Sequence, residues 1–263
     1  DYLKANKNCF FIIGNFISLP PPCKEWLTDH ADYIIYQHDH KYLSSRNPAT
    51  YSQFQAPASQ IRNYAFYKNA QKIICQTTFH KDILCKNLHL DNVTSVGGNL
   101  WPLEILEKLR EISYQKKEIK CSIMKSVIPH KNTAKAMQYC ESNGEDYELV
   151  ADNNYINFLE KLGKNKTLIF FPGTPETLSR VVCEARMMGM ALKTNDLVGA
   201  SRESWFDLKG SDLVDYMIKK REEISSFIVD ESKKTKSEKK SKKVSIISTF
   251  HKGEKYLKRF LEN

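Results

Sequence analysis

The stretch FFPGTPETLSRVVCEARMMGM, Phe170 to Met190, decides how this chain is read. An apolar strand closes on Pro172-Gly173, a turn presents Thr174, Pro175 and Glu176, and Leu178, Val181, Val182, Ala185 and Met188 then repeat at helical spacing. A strand that turns at once into a helix sets the helix N-terminus at the mouth of a sheet. Free backbone N–H groups and the positive end of the helix dipole make that position a natural diphosphate site. Glu176 and Glu184 have seven residues between them, which on a helix spans about 12 Å, similar to the length of a nucleotide sugar. One carboxylate can accept hydrogen bonds from hydroxyls of a transferred sugar and the other from a ribose, with the diphosphate between them. Two glutamates on the solvated face of an amphipathic helix fit the same spacing.

Outward from this stretch the alternation of strand and helix continues. Strands are predicted over Ile119–Met124, Tyr147–Ala151, Thr167–Phe171 and Ala191–Thr194, with helices over Asn132–Ser142, Asn154–Leu162 and Leu178–Met188 and a final amphipathic helix from Ser211 to about Phe227. Upstream lies a looser series: strands at Cys9–Asn15, Asp32–His38 and Lys72–Gln76, and helices at Cys23–His30, near Arg62–Ala70 and from Thr78, with a long polar excursion over Lys41–Ile61. Val96-Gly97-Gly98-Asn99 and Trp101-Pro102 break the alternation and mark a domain boundary. The expected architecture is α/β: two Rossmann-like doubly wound domains, over 1–101 and 119–229, joined by a connector at 102–118 and facing a cleft.

Composition excludes other classes. With 41% hydrophobic and 27% charged residues over 263 positions, the chain reads as folded and soluble. Its apolar runs, such as Thr167–Phe171, fall far short of the roughly 20 residues that span a bilayer. Seven scattered cysteines form no C-x-x-C pair and no metal-ligand spacing, so they read as reduced, packed thiols of a cytoplasmic protein. His38-Asp39-His40 is the densest histidine cluster, but no third metal ligand is evident there. The formal charge of +9 suggests an anionic partner, yet Glu231 to Lys243 holds seven lysines against two glutamates and no apolar residue. That segment reads as a solvated linker, and without aromatic interleaving no nucleic-acid partner is expected.

Phe170 to Met190 resembles the signature of family 4 glycosyltransferases, carried here by Glu176, Glu184-Ala185, Met187 and Gly189, with ALKTNDLVG (Ala191–Gly199) similar to the family's next strand and loop. The resemblance implies a GT-B-like fold and transfer of a sugar, with retention, from a nucleotide-diphosphate donor to a glycan, lipid-linked or protein acceptor, with no cofactor or metal required. It makes Lys131 the residue that holds the donor diphosphate, with Lys125 a weaker candidate for its partner. Thr177 and Leu178 join the donor site on the same grounds, and Arg180 faces either the phosphates or Glu184 at i,i+4. Tyr36–Leu43 (YQHDHKYL) resembles the family's histidine-containing segment, so His38 is expected at the donor sugar and Asp39 near the acceptor. The catalytic set implied is His38, Asp39 and Glu176.

Departures from the family bear on the first domain. The Gly-rich strand and loop that open the family's acceptor domain do not precede Cys9, so that domain is expected to be incomplete, either truncated or degenerate, and a noncatalytic nucleotide-sugar or scaffold module is the alternative function. Gly-Arg-Leu and Lys-Gly, frequent around the basic pair, are replaced by Met124-Lys125-Ser126 and Lys131-Asn132. After the linker at 230–243, Val244 to Asn263 is similar to the opening strand and helix of family 2 glycosyltransferases, and is expected to begin a second, truncated domain.

Overall fold

The computed structural model describes residues 2–234 and 244–248. Its elements in chain order are α1 (Tyr2–Ala5), β1 (Phe10–Asn15), α2 (Pro21–His30), β2 (Asp32–Tyr36), α3 (Tyr64–Asn69), β3 (Lys72–Cys75), α4 (Thr78–Leu88), β4 (Val93–Ser95), α5 (Leu103–Ser113), β5 (Glu118–Met124), α6 (Thr133–Asn143), β6 (Tyr147–Val150), α7 (Tyr155–Gly163), β7 (Asn165–Phe170), α8 (Arg180–Met187), β8 (Ala191–Thr194), α9 (Ser211–Lys233) and β9 (Val244–Ser248). Two parallel sheets form, ordered β4-β3-β2-β1-β9 and β6-β5-β7-β8. Helices cover both faces of each, as continuous apolar strands such as FFII and KIIC require, since neither face of such a strand can meet water. Two doubly wound α/β units therefore face one another, as the alternation predicts.

Each unit has its own core. Phe11, Ile13, Tyr33, Ile35, Ile73 and Leu84 pack on one face of the first sheet, and Phe10, Ile34 and Ile74 on the other. The second sheet is packed by Leu106, Leu159, Leu168, Val182 and Met187 on one side and by Cys121, Ile123, Ala136 and Ile169 on the other. Lys41–Ile61, read from its composition as a surface excursion, instead starts inside the first core with Tyr42 and Leu43, is closed by an antiparallel bridge between Leu43 and Ile61, and otherwise forms short 3-10 turns.

Three features differ from the sequence reading. First, α9 does not stop near Phe227: it continues through Lys233, taking the first residues of the expected linker into a helix of 23 residues. Its N-terminal half packs Leu213, Val214 and Met217 into the second core, while Ile224, Phe227 and Ile228 reach the first. The Gln71 amide donates to the Glu231 carbonyl at 2.7 Å, fixing the far end. The apolar stripe therefore serves two cores in succession. Second, Val244–Ser248, expected at the start of a further domain, joins the first sheet. As β9 it pairs in parallel with β1, Phe10 opposite Val244 and Ile13 opposite Ile247, and so becomes the edge strand of the first sheet. An apolar strand gains more by completing an existing ladder than by standing alone. Residues 235–243 of the expected linker and the helix expected over Gly253–Leu261 lie outside the described residues. Third, Val93–Ser95 is a strand paired with β3, too short to show a period.

The segment after β7 does not pass straight into a helix. Glu176 forms a parallel bridge with Val198, its N–H donating to the Leu197 carbonyl at 2.8 Å while its carbonyl accepts from Gly199 N–H at 2.9 Å. Gly199 permits this approach: a Cβ there would lie 2.7 Å from the Thr177 carbonyl oxygen, 2.7 Å from Thr77 Oγ1 and 2.8 Å from the Glu176 carbonyl oxygen. Two of those neighbours are backbone and cannot swing aside. Gly199→Ala is expected to destabilise the chain by about 1–3 kcal/mol, read as a lowered midpoint in urea with the slope unchanged.

Candidate functional site

Between the two sheets, at the carboxyl ends of their strands, lies a cleft of about 710 Å³. Ile12, Gly14 and Asn15 of β1, Tyr36 at the end of β2, His38 after it, and Gln76 after β3 line one wall; Met124, Lys131 and residues 176–181 line the other. Ile228 of α9 and Ile246 of β9 close the apolar floor. Open parallel sheets bind ligands at this edge, because loops and helix N-termini converge there.

On the second wall Lys131 Nζ donates to Glu176 Oε1 at 2.6 Å, with both side chains largely buried. Phe170 lies under the ammonium group, 5.7 Å from ring centroid to Nζ. Asn132, in left-handed backbone conformation, closes the turn behind Lys131, and its side chain donates to the Phe171 carbonyl at 3.0 Å. Ser179 precedes α8 at φ 72° and ψ 88°, a conformation unfavourable for a residue with a Cβ. Ser179 lines the cleft and is 5% exposed, and its hydroxyl, fully buried, has no hydrogen-bond partner among the described residues. Unpartnered buried hydroxyls are uncommon and call for a physical reason.

The turn from Thr174 to Ser179 is gripped from the opposite domain. His40 Nε2 meets the Pro175 carbonyl at 3.0 Å, Thr77 Oγ1 donates to the Thr177 carbonyl at 2.7 Å, and Thr177 Oγ1 donates to Gln76 Oε1 at 2.7 Å. Thr177 and Leu178 are thereby laid along the cleft wall.

Glu184 is placed differently from Glu176. The helix begins at Arg180, and Glu176 sits in extended backbone before it, so the two carboxylates do not share a helix face. Glu184 is 2% exposed and does not line the cleft. Its Oε1 accepts from Trp101 Nε1 at 3.1 Å, the Tyr155 hydroxyl at 2.5 Å and Arg180 Nε at 3.2 Å. Of the two roles open to Arg180, the ion pair at i,i+4 is formed. Yet Arg180 also lines the cleft, held over the Trp101 ring at 5.3 Å, so the pairing aims it at the ligand space. Lys125 is exposed and absent from the cleft wall; its N–H donates to the Val150 carbonyl at the end of β5.

Across the cleft, His38 is pushed down to about 4, chiefly by burial and then by neighbouring Lys41 and Arg180. It is therefore a neutral hydrogen-bonding group at pH 7. Burial opposes ionisation of Asp39, but Lys41 and Arg46 outweigh it and hold the carboxyl below its ordinary range. Asp39 sits in left-handed conformation with its carboxylate against Arg46 at 2.5 Å. His40 is buried and likewise pushed down to about 4, burial outweighing its bond to Pro175. A neutral ring suits it: Nε2–H donates to the Pro175 carbonyl while Nδ1 accepts from the Tyr42 hydroxyl at 3.0 Å. The two histidines of the densest cluster thus serve different ends, His38 lining the cleft and His40 fastening the domains.

An adjoining chamber of about 470 Å³ shares Asp39, Lys131, Glu176 and Thr177 with the main cleft and adds Arg46, His130 and Thr174. Gln76, Ser179 and Asn99 were not singled out in the sequence. Gln76 follows the carboxyl end of β3, and position at a strand end could have marked it. Asn99, which accepts from the Tyr36 hydroxyl at 3.1 Å, lies in an irregular connection with no such signal.

No protein-family model matches the chain, and no curated protein matches it. Among solved structures it is similar to Anabaena Alr3699/HepE in complex with UDP-glucose, at 10% identity and TM-score 0.47, over 86% of this chain and 72% of that one. The same Anabaena protein with UDP and glucose matches at 11% identity and TM-score 0.43, over 75% of this chain and 63% of that one. A glycosyltransferase from Rickettsia africae matches at 16% identity and TM-score 0.44, over 89% and 71% of the two chains.

Two outcomes follow from this geometry. Glu184→Ala strands the Trp101 indole N–H and the Tyr155 hydroxyl, and is expected to cost about 2–4 kcal/mol of folding stability, measured by chemical denaturation. His40, lowered from 6.5 to about 4 on folding, contributes stability that is complete above pH 6.5 and is lost as pH falls from there towards 4. Between pH 7 and 4.5 the stability lost by His40→Gln should be smaller than that lost by the parent chain by about 2–3 kcal/mol.

Proposed function

We propose that this chain is a glycosyltransferase that binds a nucleotide-diphosphate sugar in the cleft between its two α/β units and transfers the sugar, with retention, to a glycan, lipid-linked or protein acceptor. The observation that carries this reading is the head of α8. Ser179, on the cleft wall with Lys131 and Arg180, is held in an unfavourable conformation, and its buried hydroxyl has no partner among the described residues. A diphosphate would give that hydroxyl, the adjoining amides and both cations the anionic oxygens they are arranged to meet.

The assignments follow from what each group can offer. Lys131 leaves Glu176 for the phosphates, and the freed Glu176 carboxylate accepts hydrogen bonds from hydroxyls of the sugar. The backbone of Thr177 and Leu178 lies along the donor, and Arg180 faces its charge. His38, neutral at pH 7, contacts the sugar by hydrogen bonding without repelling a developing positive charge at the anomeric carbon. Asp39, at the opening to the second chamber, lies where an acceptor would arrive. Glu184 acts mainly through Arg180; a ribose contact there has only its second oxygen to draw on.

In the transfer, the bond from the anomeric carbon to the phosphate oxygen breaks with its electron pair leaving on the diphosphate. The acceptor oxygen bonds to the same face of that carbon, and its proton passes to the departing phosphate oxygen. Lys131, Arg180 and the helix amides stabilise the charge that develops, the step on which electrostatic catalysis acts most strongly.

Calorimetric titration with UDP, GDP and their sugar conjugates tests the reading. One site is expected, with Lys131→Ala weakening it about tenfold or more and Glu176→Gln weakening the sugar conjugate more than the free diphosphate. A folded chain that binds none of them overturns the donor site. Binding without release of nucleoside diphosphate to any acceptor class would instead favour a noncatalytic sugar-nucleotide module.

A further inference from the structure

At the end of α6 remote from the cleft, three potential metal ligands converge that sequence spacing keeps apart. Cys121 Sγ, Cys140 Sγ and a carboxylate oxygen of Glu145 all lie within 4.8 Å of one another. Both cysteines are buried and Glu145 is half-buried, so the cluster is reached from one side only. Cys121 donates its thiol proton to Glu145 Oε2 at 3.0 Å.

The backbone explains the convergence. Gly144, at φ 64°, ends α6 in a left-handed turn, and the Glu145 N–H returns to the Cys140 carbonyl at 2.9 Å. This closure, in which the chain folds back over the last helical turn, sets Glu145 beside Cys140. The next residue, Asp146, accepts from Cys121 N–H at 2.8 Å, and Tyr147 pairs with Cys121 in the ladder of β5 and β6. A helix cap and a strand register therefore fix all three positions before any ligand arrives. The site also stands at the carboxyl end of a helix, where the backbone carbonyls favour a cation.

We propose that Cys121, Cys140 and Glu145 form a binding site for a borderline-soft divalent cation of the zinc type, with water as the fourth ligand. Two thiolates and one carboxylate suit such an ion and poorly suit magnesium or calcium, which take oxygen ligands. With sulfur about 2.3 Å from the ion, a tetrahedral site needs sulfur–sulfur separations of roughly 3.8 Å, which rotation of side chains already within 4.8 Å can supply. Binding releases the thiol protons and replaces the contact between Cys121 and Glu145 by bonds to the metal. An α6 of 11 residues runs from beside Lys131 to this site, about 16 Å along its axis, so the ion braces the helix without touching the reacting groups.

Cobalt(II), which reports thiolate ligation in its spectrum, provides the test on the intact chain under reducing conditions. One equivalent is expected to give a thiolate-to-cobalt charge-transfer band and tetrahedral visible bands that zinc abolishes by displacement. Cys121→Ser and Cys140→Ser should each reduce the charge-transfer band, and Glu145→Gln, on the solvent side and least able to disturb folding, should weaken cobalt binding about tenfold. Zinc should raise the melting temperature of the parent chain and leave that of Cys140→Ser unchanged. Absence of the band, or a band unaffected by both cysteine substitutions, overturns the proposal. So does resistance of Cys121 and Cys140 to alkylation in denaturant, after chelation and before reduction, which would identify a disulfide.

Discussion

The candidate site depends on the turn from Thr174 to Ser179 being held from both sides. Within its own domain the Glu176 backbone is bridged to Val198, and across the cleft His40, Thr77 and Gln76 fasten Pro175 and Thr177. Each contact satisfies a polar group that burial would otherwise penalise, so releasing one leaves others exposed to the same cost. Ser179 can remain in a conformation costing about 1–3 kcal/mol only because the flanking residues leave it no alternative. Gly199 matters for the same reason, since nothing larger fits between the carbonyls that form the bridge.

The charges of the cleft are arranged as exchangeable pairs. Lys131 rests on Glu176, and Asp39 on Arg46. Arg180, by contrast, is anchored by a carboxylate that is itself fixed by Trp101 and Tyr155. The first arrangement suits groups that change partners when an anion arrives. The second suits a cation that must keep its direction whether or not one is present. The paired Glu176 and the anchored Glu184, alike in sequence, thus have opposite physical situations.

The sequence disclosed the fold well because long apolar strands and helical stripes are local patterns. Phe170–Met190 located the strand, the turn and the cleft position of Glu176, Thr177, Leu178 and Arg180. Glu184 falls away from the cleft because the helix starts only at Arg180, and the bridge of Glu176 to Val198 is a contact between segments that no periodicity records. The same blindness to distant pairing hid the role of α9, whose apolar residues look uniform although they enter two cores, and of β9, whose partner lies more than two hundred residues upstream. Cys121, Cys140 and Glu145 were passed over for the same reason: a helix cap and a strand register bring them together, and neither is visible as a spacing.

The contrast between the polar walls of the cleft and its apolar patch has a chemical consequence. Residues 176–181 and Lys131 present polar and charged groups on one side, while Ile12, Ile228 and Ile246 form an apolar surface that cannot hydrogen-bond water. A ligand filling the space would expel solvent from the polar wall, and the attraction of Lys131 and Arg180 for an anion would strengthen as the local dielectric falls. The apolar part of that surface comes from β1, from the far end of α9 and from β9, elements separated widely in the chain. The helix that ties the two cores together therefore also shapes the medium in which the charges act, so the strength of the electrostatics in the second domain depends on residues packed against the first.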